Sequence, residues 1–262
     1  MIERRFGIVV AGLALMSMPL ALGQDKSDRL TFDVASIRPS PPNAPVGGFT
    51  PLPNGNGYDV QNASIKSVIS VIYRTPLRQI SGGPEWLTSQ KYDIKVRADH
   101  PYSVDDLHMM FQNLLSDRFK LGIHKETREG PVYLLTVAKS GLKMKLVEVG
   151  KDHNSPIKDG KTGEYIGERV SMEYLCYWLG QRLQNDQRPV IDKTSLHGTY
   201  NFTLTFRPQL LPSVSDEGLD PELESLPSIF SALKEQLGLE LVPQKGPVEQ
   251  LIIDSAQRPS DN

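Results

Sequence analysis

The sequence predicts an α+β protein built from two similar α/β halves, each a small mixed or antiparallel sheet with two amphipathic helices. Four segments carry apolar residues at helical spacing, and segments with alternating apolar residues lie between them. Short motifs also recur along the chain. Tyr92-Asp93-Ile94 is echoed by Tyr200-Asn201-Phe202 after 108 positions, and Gly130-Pro131-Val132 returns as Gly246-Pro247-Val248 after 116. This repetition indicates an internal duplication of one supersecondary unit.

The four predicted helices share one apolar template. Residues at i, i+3, i+4 and i+7 form a stripe on one side of the helix, which is typical of a helix that packs on a sheet. The stripes are Ile65–Ile72, Leu107–Leu115, Met172–Leu183 and Leu226–Leu237. Ser171 is a candidate N-cap for the third helix, and Ser103 with Asp106 fits a loose capping box for the second.

Alternation of apolar and polar residues predicts the strands. The main segments are Thr31–Ile37, Tyr92–Val96, Val132–Val137, Tyr200–Phe206 and Val248–Ile253. The Gly130-Pro131 and Gly246-Pro247 dipeptides are interpreted as hairpin turns, because Gly and Pro favour turns. Each half is therefore expected to run helix, strand, helix, strand, strand.

The predicted segments divide the chain into three parts. Residues 1–23 form a signal peptide, residues 24–150 the first half and residues 151–262 the second half. A polar stretch joins the halves, and residues 208–227 form an acidic insertion that the first half lacks.

The N-terminus has the pattern of a secretory signal peptide. Arg4-Arg5 precedes an uncharged stretch from Phe6 to Gly23, and Ala21 and Gly23 place small residues before a cleavage site at Gln24. The stretch is marginal in length for a bilayer span. We therefore expect export to the periplasm or the extracellular space, without membrane insertion after cleavage. An uncleaved N-terminal anchor is the alternative.

Composition limits the classes of partner. The formal net charge is −2. It becomes −3 after cleavage, because basic residues fall from 29 to 27 and acidic residues from 31 to 30. A chain so close to neutral has no strong electrostatic footprint for nucleic acid. The single Cys176 excludes an intrachain disulfide, and its place on a helical stripe predicts a buried, unreactive thiol.

Several segments resemble one known family. They are Phe32–Pro39, Ile80–Leu87, Tyr92–Ile94, Leu114–Leu121, Val190–Thr194, Leu237–Leu239 and Lys245–Glu249. Over nearly the whole chain after the signal peptide, the sequence resembles the exported soil-associated protein family of soil bacteria, a domain of unknown function. The resemblance implies no established activity or catalytic residue. Similar domains fused to membrane sensor proteases suggest periplasmic sensing. Ser195 departs from the family pattern, which often has Gly there.

Motifs for catalysis and for cofactor binding are not found in the sequence. It contains no Gly-x-Ser-x-Gly and no His-Glu-x-x-His, and its five histidines lack metal-ligand spacing. We therefore assign no catalytic residue, cofactor or metal ligand. His108 is predicted to face away from its helix stripe and His124 to end a strand, so both are expected to be solvated. A secreted hydrolase that assembles its site on folding, with His108 or His124 beside acids, is an alternative.

The candidate binding surface is the turn that carries Glu85 and Trp86. Gly82-Gly83-Pro84 makes this turn rigid, and the second half has no matching Trp. An aromatic residue on a turn can anchor a partner, although Trp86 could instead cover the core. We expect an exported binding or protein-interaction module for an envelope protein or a small ligand, with its oligomeric state open. A hydrolase and a structural envelope protein are the alternatives.

Overall fold

The structure is a computed structural model that describes residues 29–148, 157–183, 188–208 and 221–259. The predicted signal peptide and most of the predicted acidic insertion lie outside the described residues. Within them the chain folds into several small sheets with helices packed against them. The predicted α+β fold class is therefore confirmed.

The elements are numbered in chain order. The strands are β1 (Val34–Pro39), β2 (Phe49–Pro51), β3 (Gly57–Ser64), β4 (Ile80–Gly82), β5 (Lys91–Arg97), β6 (Gly122–Val137), β7 (Lys145–Val147), β8 (Ile157–Asp159), β9 (Glu164–Ser171), β10 (Val190–Asp192), β11 (Thr199–Thr205) and β12 (Leu239–Ser255). The helices are α1 (Ile65–Ile72), α2 (Trp86–Ser89), α3 (Val104–Phe119), α4 (Met172–Arg182), α5 (Pro221–Glu224) and α6 (Ile229–Ala232). A 3₁₀ turn (Leu77–Gln79) precedes β4, and a π-helical turn (Leu233–Leu237) continues α6.

Two antiparallel sheets have equivalent strand orders. The first sheet has the strand order β1-β5-β3-β2, and the second sheet has the order β7-β11-β9-β8. Asn62 in β3 and Arg169 in β9 both have positive φ, 45° and 53°, where the strand pairing is irregular. Their backbone N–H groups donate to Asp93 Oδ1 and Asn201 Oδ1, both at 2.8 Å. These features are consistent with the internal duplication, which itself stays a prediction.

The third sheet is built on a long two-stranded ribbon of β6 and β12. These strands pair antiparallel from Gly122 opposite Ser255 to Val137 opposite Leu239. Two three-residue strands extend the ribbon. β10 lies parallel to β6 at residues 133–135, and β4 lies parallel to β12 at residues 251–253. Among the described residues, the middle of the ribbon therefore has two strands only.

The predicted hairpin turns at Gly130-Pro131 and Gly246-Pro247 are wrong. Both dipeptides lie inside the ribbon, where Gly130 pairs with Gly246 and Pro131 pairs with Lys245. Proline is tolerated in a strand where its missing N–H would face outward. The N–H of Tyr133 points outward and donates to Pro189 O at 2.8 Å. Because backbone direction alternates along a strand, the nitrogen of Pro131 faces outward as well.

The ribbon contributes to two hydrophobic cores. The first core lies between the first sheet, α1 and α3, and the second core lies between the second sheet, α4 and α6. β6 follows α3 but contributes Tyr133 and Leu135 to the second core. β12 follows α6 but contributes Leu251 and Ile253 to the first core. Each half of the chain thus supplies part of the core of the other.

Local signals place the helix starts. In the described residues, four helices begin at a serine whose hydroxyl accepts the backbone N–H three residues on: Ser64, Ser103, Ser171 and Ser228. The predicted helix Leu226–Leu237 corresponds to α6 and the π-helical turn, and it is shorter than predicted because the cap at Ser228 leaves Leu226 before the helix. Phe230, which the prediction placed on the apolar stripe, is 38% exposed. The first strand begins at Val34 rather than at the predicted Thr31.

The irregularity in β3 makes the folded state depend on the charge of Asp93. Its Oδ1 accepts the backbone N–H of Asn62 at 2.8 Å and the hydroxyl of Ser40 at 2.6 Å. These two hydrogen bonds lower the pKa of Asp93. The stabilisation is therefore present above the ordinary aspartate pKa of 3.8, and it is lost as the pH falls through the pKa of the folded state.

We expect Asp93→Ala to lower the free energy of unfolding at pH 7 by about 1–2 kcal/mol, because it removes two hydrogen bonds to a partly exposed carboxylate. Asp93→Asn keeps an acceptor oxygen, as Asn201 does in the second sheet, and is expected to lose less. Urea denaturation at pH 7 and pH 3 measures both variants. The difference in free energy of unfolding between the wild-type protein and Asp93→Asn is expected to be smaller at pH 3 than at pH 7. Equal losses for both variants at pH 7 would contradict the assigned role.

Candidate functional site

A cleft of about 500 Å³ lies between the two halves. The first half contributes the segment that follows α1, and the second half contributes α4 and β10. Both strands of the ribbon complete the lining. Ligand sites of this volume are common at the boundary between packed units. This cleft is the candidate functional site.

The ribbon provides a polar surface to the cleft. Lys125 and Thr127 are two residues apart on β6, so their side chains lie on one face, and Glu249 is opposite Thr127 on β12. Lys125 Nζ lies 2.8 Å from a carboxylate oxygen of Glu249. The same face of the ribbon carries Leu251 toward the first core and Leu135 toward the second core. The cleft is thus a polar gap between two apolar cores.

One face of α4 forms a wall. Glu173, Cys176, Tyr177 and Gly180 follow the i, i+3, i+4, i+7 spacing and all line the cleft. A Cβ atom added to Gly180 would have its nearest neighbours at 3.8 Å, an ordinary van der Waals distance. A lack of space for a Cβ atom therefore does not explain why this residue is a glycine.

The segment after α1 forms the opposing wall. α1 ends at Ile72, and Arg74 adopts the left-handed conformation with φ 47°. Thr75 is buried, and its carbonyl oxygen accepts the hydroxyl of Ser70 at 2.7 Å, which holds the turn in place. Glycine is the usual residue in this conformation after a helix. Here the position carries a long cationic side chain instead.

Hydrogen bonds join the two walls. The guanidinium of Arg78, in the 3₁₀ turn, donates to Gly180 O from two nitrogens at 3.1 Å each, and to Arg188 O at 3.1 Å. The hydroxyl of Tyr177 donates to Ser70 O at 3.4 Å. The cleft therefore has walls from both halves that are held at a defined separation.

The Arg74 guanidinium lies between carboxylates from both halves. Its Nη2 pairs with Asp105 at the start of α3, and its Nη1 lies 3.9 Å from Glu173 at the start of α4. The side chain is 21% exposed. Its Nε is buried and has no hydrogen-bond partner among the described residues. Arg74 thus has donor capacity that the described protein groups leave unused.

The thiol of Cys176 is buried, as predicted. Burial raises the pKa of Cys176 to about 12, with smaller contributions from Asp192 and Glu173. The thiol therefore stays neutral at ordinary pH, and a neutral thiol is a poor nucleophile.

The prediction that His108 is solvated is wrong. Its ring is buried, with its centroid 6.0 Å from that of Tyr58 in β3, because the first sheet covers this side of α3. Burial lowers the pKa of His108 to about 4, and the nearby Arg74 guanidinium acts in the same direction. His108 is therefore a neutral part of the core surface beneath Arg74.

His124 lies on the ribbon, with 47% of its side chain exposed. Its Nδ1 contacts Asp254 at 2.8 Å, and its Nε2 lies 3.4 Å from Glu126. Both ring nitrogens thus face carboxylates. In the described ranges, no group of three or more His, Cys, Asp or Glu side chains is arranged to hold a metal ion.

The sequence-predicted surface at Glu85 and Trp86 lies away from the cleft. The indole of Trp86 stacks on Phe119 with 6.3 Å between ring centroids, and the Arg258 guanidinium lies 5.7 Å from its centroid. Trp86 is half-buried over the first core, while Glu85 is exposed. A binding role for this pair stays a prediction.

The amino-acid sequence alone does not identify Arg74, Arg78 or Gly180 as residues of a site. Two signals bear on them. A glycine inside a helical pattern disfavours the helix and has a packing or functional reason in many proteins, which applies to Gly180. Glu173, Tyr177 and Gly180 also have helical spacing, and they lie beside the apolar stripe of Leu175 and Leu179. The positive φ of Arg74 has no signature in the sequence.

The fold and the cleft describe an α+β protein with a candidate ligand site between two packed halves. Over residues 66–256 the chain matches the family described as "Protein of unknown function (DUF3738)", and it belongs to that family. The matched range contains every cleft residue named above. No curated protein and no solved structure matches the chain. Among the described residues, no helix has the length and apolar character to cross a bilayer.

The pair of carboxylates around His124 predicts its titration. Hydrogen bonding to Asp254, and then to Glu126, raises the pKa of His124 above its ordinary value of 6.5. The resulting stabilisation is present below pH 6.5 and is lost as the pH rises through the pKa of the folded state. We expect Asp254→Asn to lower the pKa of His124 more than Glu126→Gln does. NMR titration of the imidazole C–H signals measures both, and an unchanged pKa in Asp254→Asn would contradict the pairing.

Proposed function

We propose that the protein is exported and that it binds a small ligand in the cleft between its two halves. The N-terminal signal-peptide pattern supports export. The concave shape, the volume and the mixed polar and apolar lining of the cleft support a small ligand rather than a flat protein surface.

Gly180 is the observation that carries this proposal. Glycine in a helix is less favourable than alanine by about 1 kcal/mol. The space around Gly180 would accept a Cβ without a steric clash, so packing does not explain the glycine. A side chain at this position would project into the cleft. The glycine therefore keeps the cleft open at the expense of helix stability.

Arg74 adds a second residue that goes against local preference. A left-handed conformation costs a residue other than glycine about 1 kcal/mol. Backbone strain of this kind is concentrated at ligand sites in proteins. Arg74 and Gly180 thus both lie at the cleft. Glycine would be favoured in the left-handed conformation at position 74, and arginine would be favoured in the helix at position 180.

His108, His124 and Cys176 favour binding over hydrolysis. A general base needs a ring nitrogen that is free to accept a proton. Both nitrogens of His124 face carboxylates, and His108 is buried beneath Arg74. Burial keeps the thiol of Cys176 protonated. These residues support the binding module over the hydrolase alternative.

Substitutions at Gly180 test the proposal. We expect Gly180→Leu to fill part of the cleft and to abolish binding, while Gly180→Ala keeps binding and raises the free energy of unfolding by about 0.5–1 kcal/mol. A library of water-soluble fragments is screened by saturation-transfer NMR against the wild-type protein and both variants.

The expected result is a set of fragments that bind the wild-type protein and Gly180→Ala but not Gly180→Leu. Circular dichroism and urea denaturation check that Gly180→Leu is folded. Fragments that bind folded Gly180→Leu as well as they bind the wild-type protein would contradict the cleft as the site.

A further inference from the structure

We propose that the ligand is an uncharged or positively charged molecule that presents an amide carbonyl oxygen to Arg74. This inference rests on the proposed function, because it names the ligand class of the same cleft. It follows from the unused hydrogen-bond donors of one side chain, the charge balance of the lining and the shape of its apolar parts.

Arg74 has hydrogen-bond donors that a ligand in the cleft can use. A guanidinium has five N–H donors in a planar fork. Asp105 takes one from Nη2, Glu173 lies 3.9 Å from Nη1, and the buried Nε has no hydrogen-bond partner among the described residues. The surrounding protein covers this Nε, so a ligand in the cleft would reach the Nη1 donors, from which Glu173 is beyond hydrogen-bond distance. A ligand oxygen in the plane of the guanidinium would accept a hydrogen bond from Nη1.

The charge balance disfavours an anionic ligand. Three carboxylates line the cleft, those of Glu173, Asp192 and Glu249, against the two cations of Arg74 and Lys125. Beside the lining, Asp105 adds a negative charge and Arg78 adds a positive one, so the balance stays at one net negative charge. A ligand carboxylate or phosphate would meet a net negative potential, and like charges brought together at a binding site oppose association. The acceptor is therefore expected to be uncharged.

The apolar parts of the lining suit a planar, uncharged group. The rings of Tyr73 and Tyr177 come from opposite walls, and Pro76, Pro189 and Pro247 add further apolar surface. An amide offers both a flat face for such rings and a carbonyl oxygen for Arg74. Its N–H can donate to the carboxylates around the cleft, Asp192 among them. One amide group can therefore satisfy donors, acceptors and apolar contacts together.

Short peptides and N-acetylated sugars are two sources of this chemistry. The peptide probes are the amides of N-acetyl-Ala-Ala-Ala, N-acetyl-Ala-Lys-Ala and N-acetyl-Ala-Glu-Ala. The sugar probes are triacetylchitotriose and cellotriose, which has a similar backbone but no amide. Isothermal titration calorimetry on the full chain measures each affinity. Binding of triacetylchitotriose without the peptides assigns the amide to a sugar, and the reverse assigns it to a peptide.

Variants of Arg74 connect the affinity to the side chain. Arg74→Gly removes the guanidinium and also relieves the left-handed backbone, so the variant is expected to fold. It should weaken binding of the amide probe at least tenfold. Arg74→Lys keeps the charge but not the planar fork, and it should also weaken binding. Lys139→Gly, at a residue outside the cleft, is the control and should leave affinity unchanged.

Four results would overturn the inference. They are tighter binding of the Glu peptide than of the Ala and Lys peptides, measurable binding of cellotriose that is as tight as that of the best amide probe, full affinity in Arg74→Gly, and no binding of any amide probe. Fragments that bind in a Gly180-dependent way but lack an amide would overturn the ligand class and leave the proposed function standing. A fragment screen without any Gly180-dependent binding would overturn both.

Discussion

The antiparallel pairing of β6 with β12 determines how the rest of the molecule is arranged. The two strands pair along most of their length. The C-terminal part of β6 packs in the second core, and the C-terminal part of β12 packs in the first core. Leu135 packs in the second core although β6 follows α3, and Leu251 packs in the first core although it lies near the C-terminal end of the described chain. Separating the halves would therefore remove buried apolar residues from both cores. Replacing one buried leucine by alanine lowers the free energy of unfolding by about 2–5 kcal/mol.

The cleft is a consequence of this arrangement. The two cores occupy the ends of one face of the ribbon, and the segment between them carries Lys125, Thr127 and Glu249 instead of core residues. The walls come from the end of α1 and from α4, and Arg78 joins them through the carbonyl of Gly180. A site built in this way is held by the packing of both halves, which limits the reorganisation that ligand binding requires.

Much of the fold is readable from local patterns, whereas the cleft is not. Apolar spacing identifies α1, α3 and α4, and serine caps support α3 and α4, because both signals depend on neighbours within one or two helical turns. The Gly-Pro dipeptides mislead, because their conformation depends on a partner strand more than 100 residues away. The burial of His108 has a similar cause, since Tyr58 of another element covers it. Arg74 and Gly180 become informative only when backbone conformation and surrounding space are known.

The most direct measurement is hydrogen exchange by mass spectrometry on the wild-type protein and Leu135→Ala. The substitution lies in β6 but acts in the second core. If the ribbon joins the halves into one cooperative unit, the variant lowers the free energy of opening by the same amount in α3 of the first half and in α4 of the second half. Faster exchange confined to α4 and the second sheet, with α3 unchanged, would contradict the account.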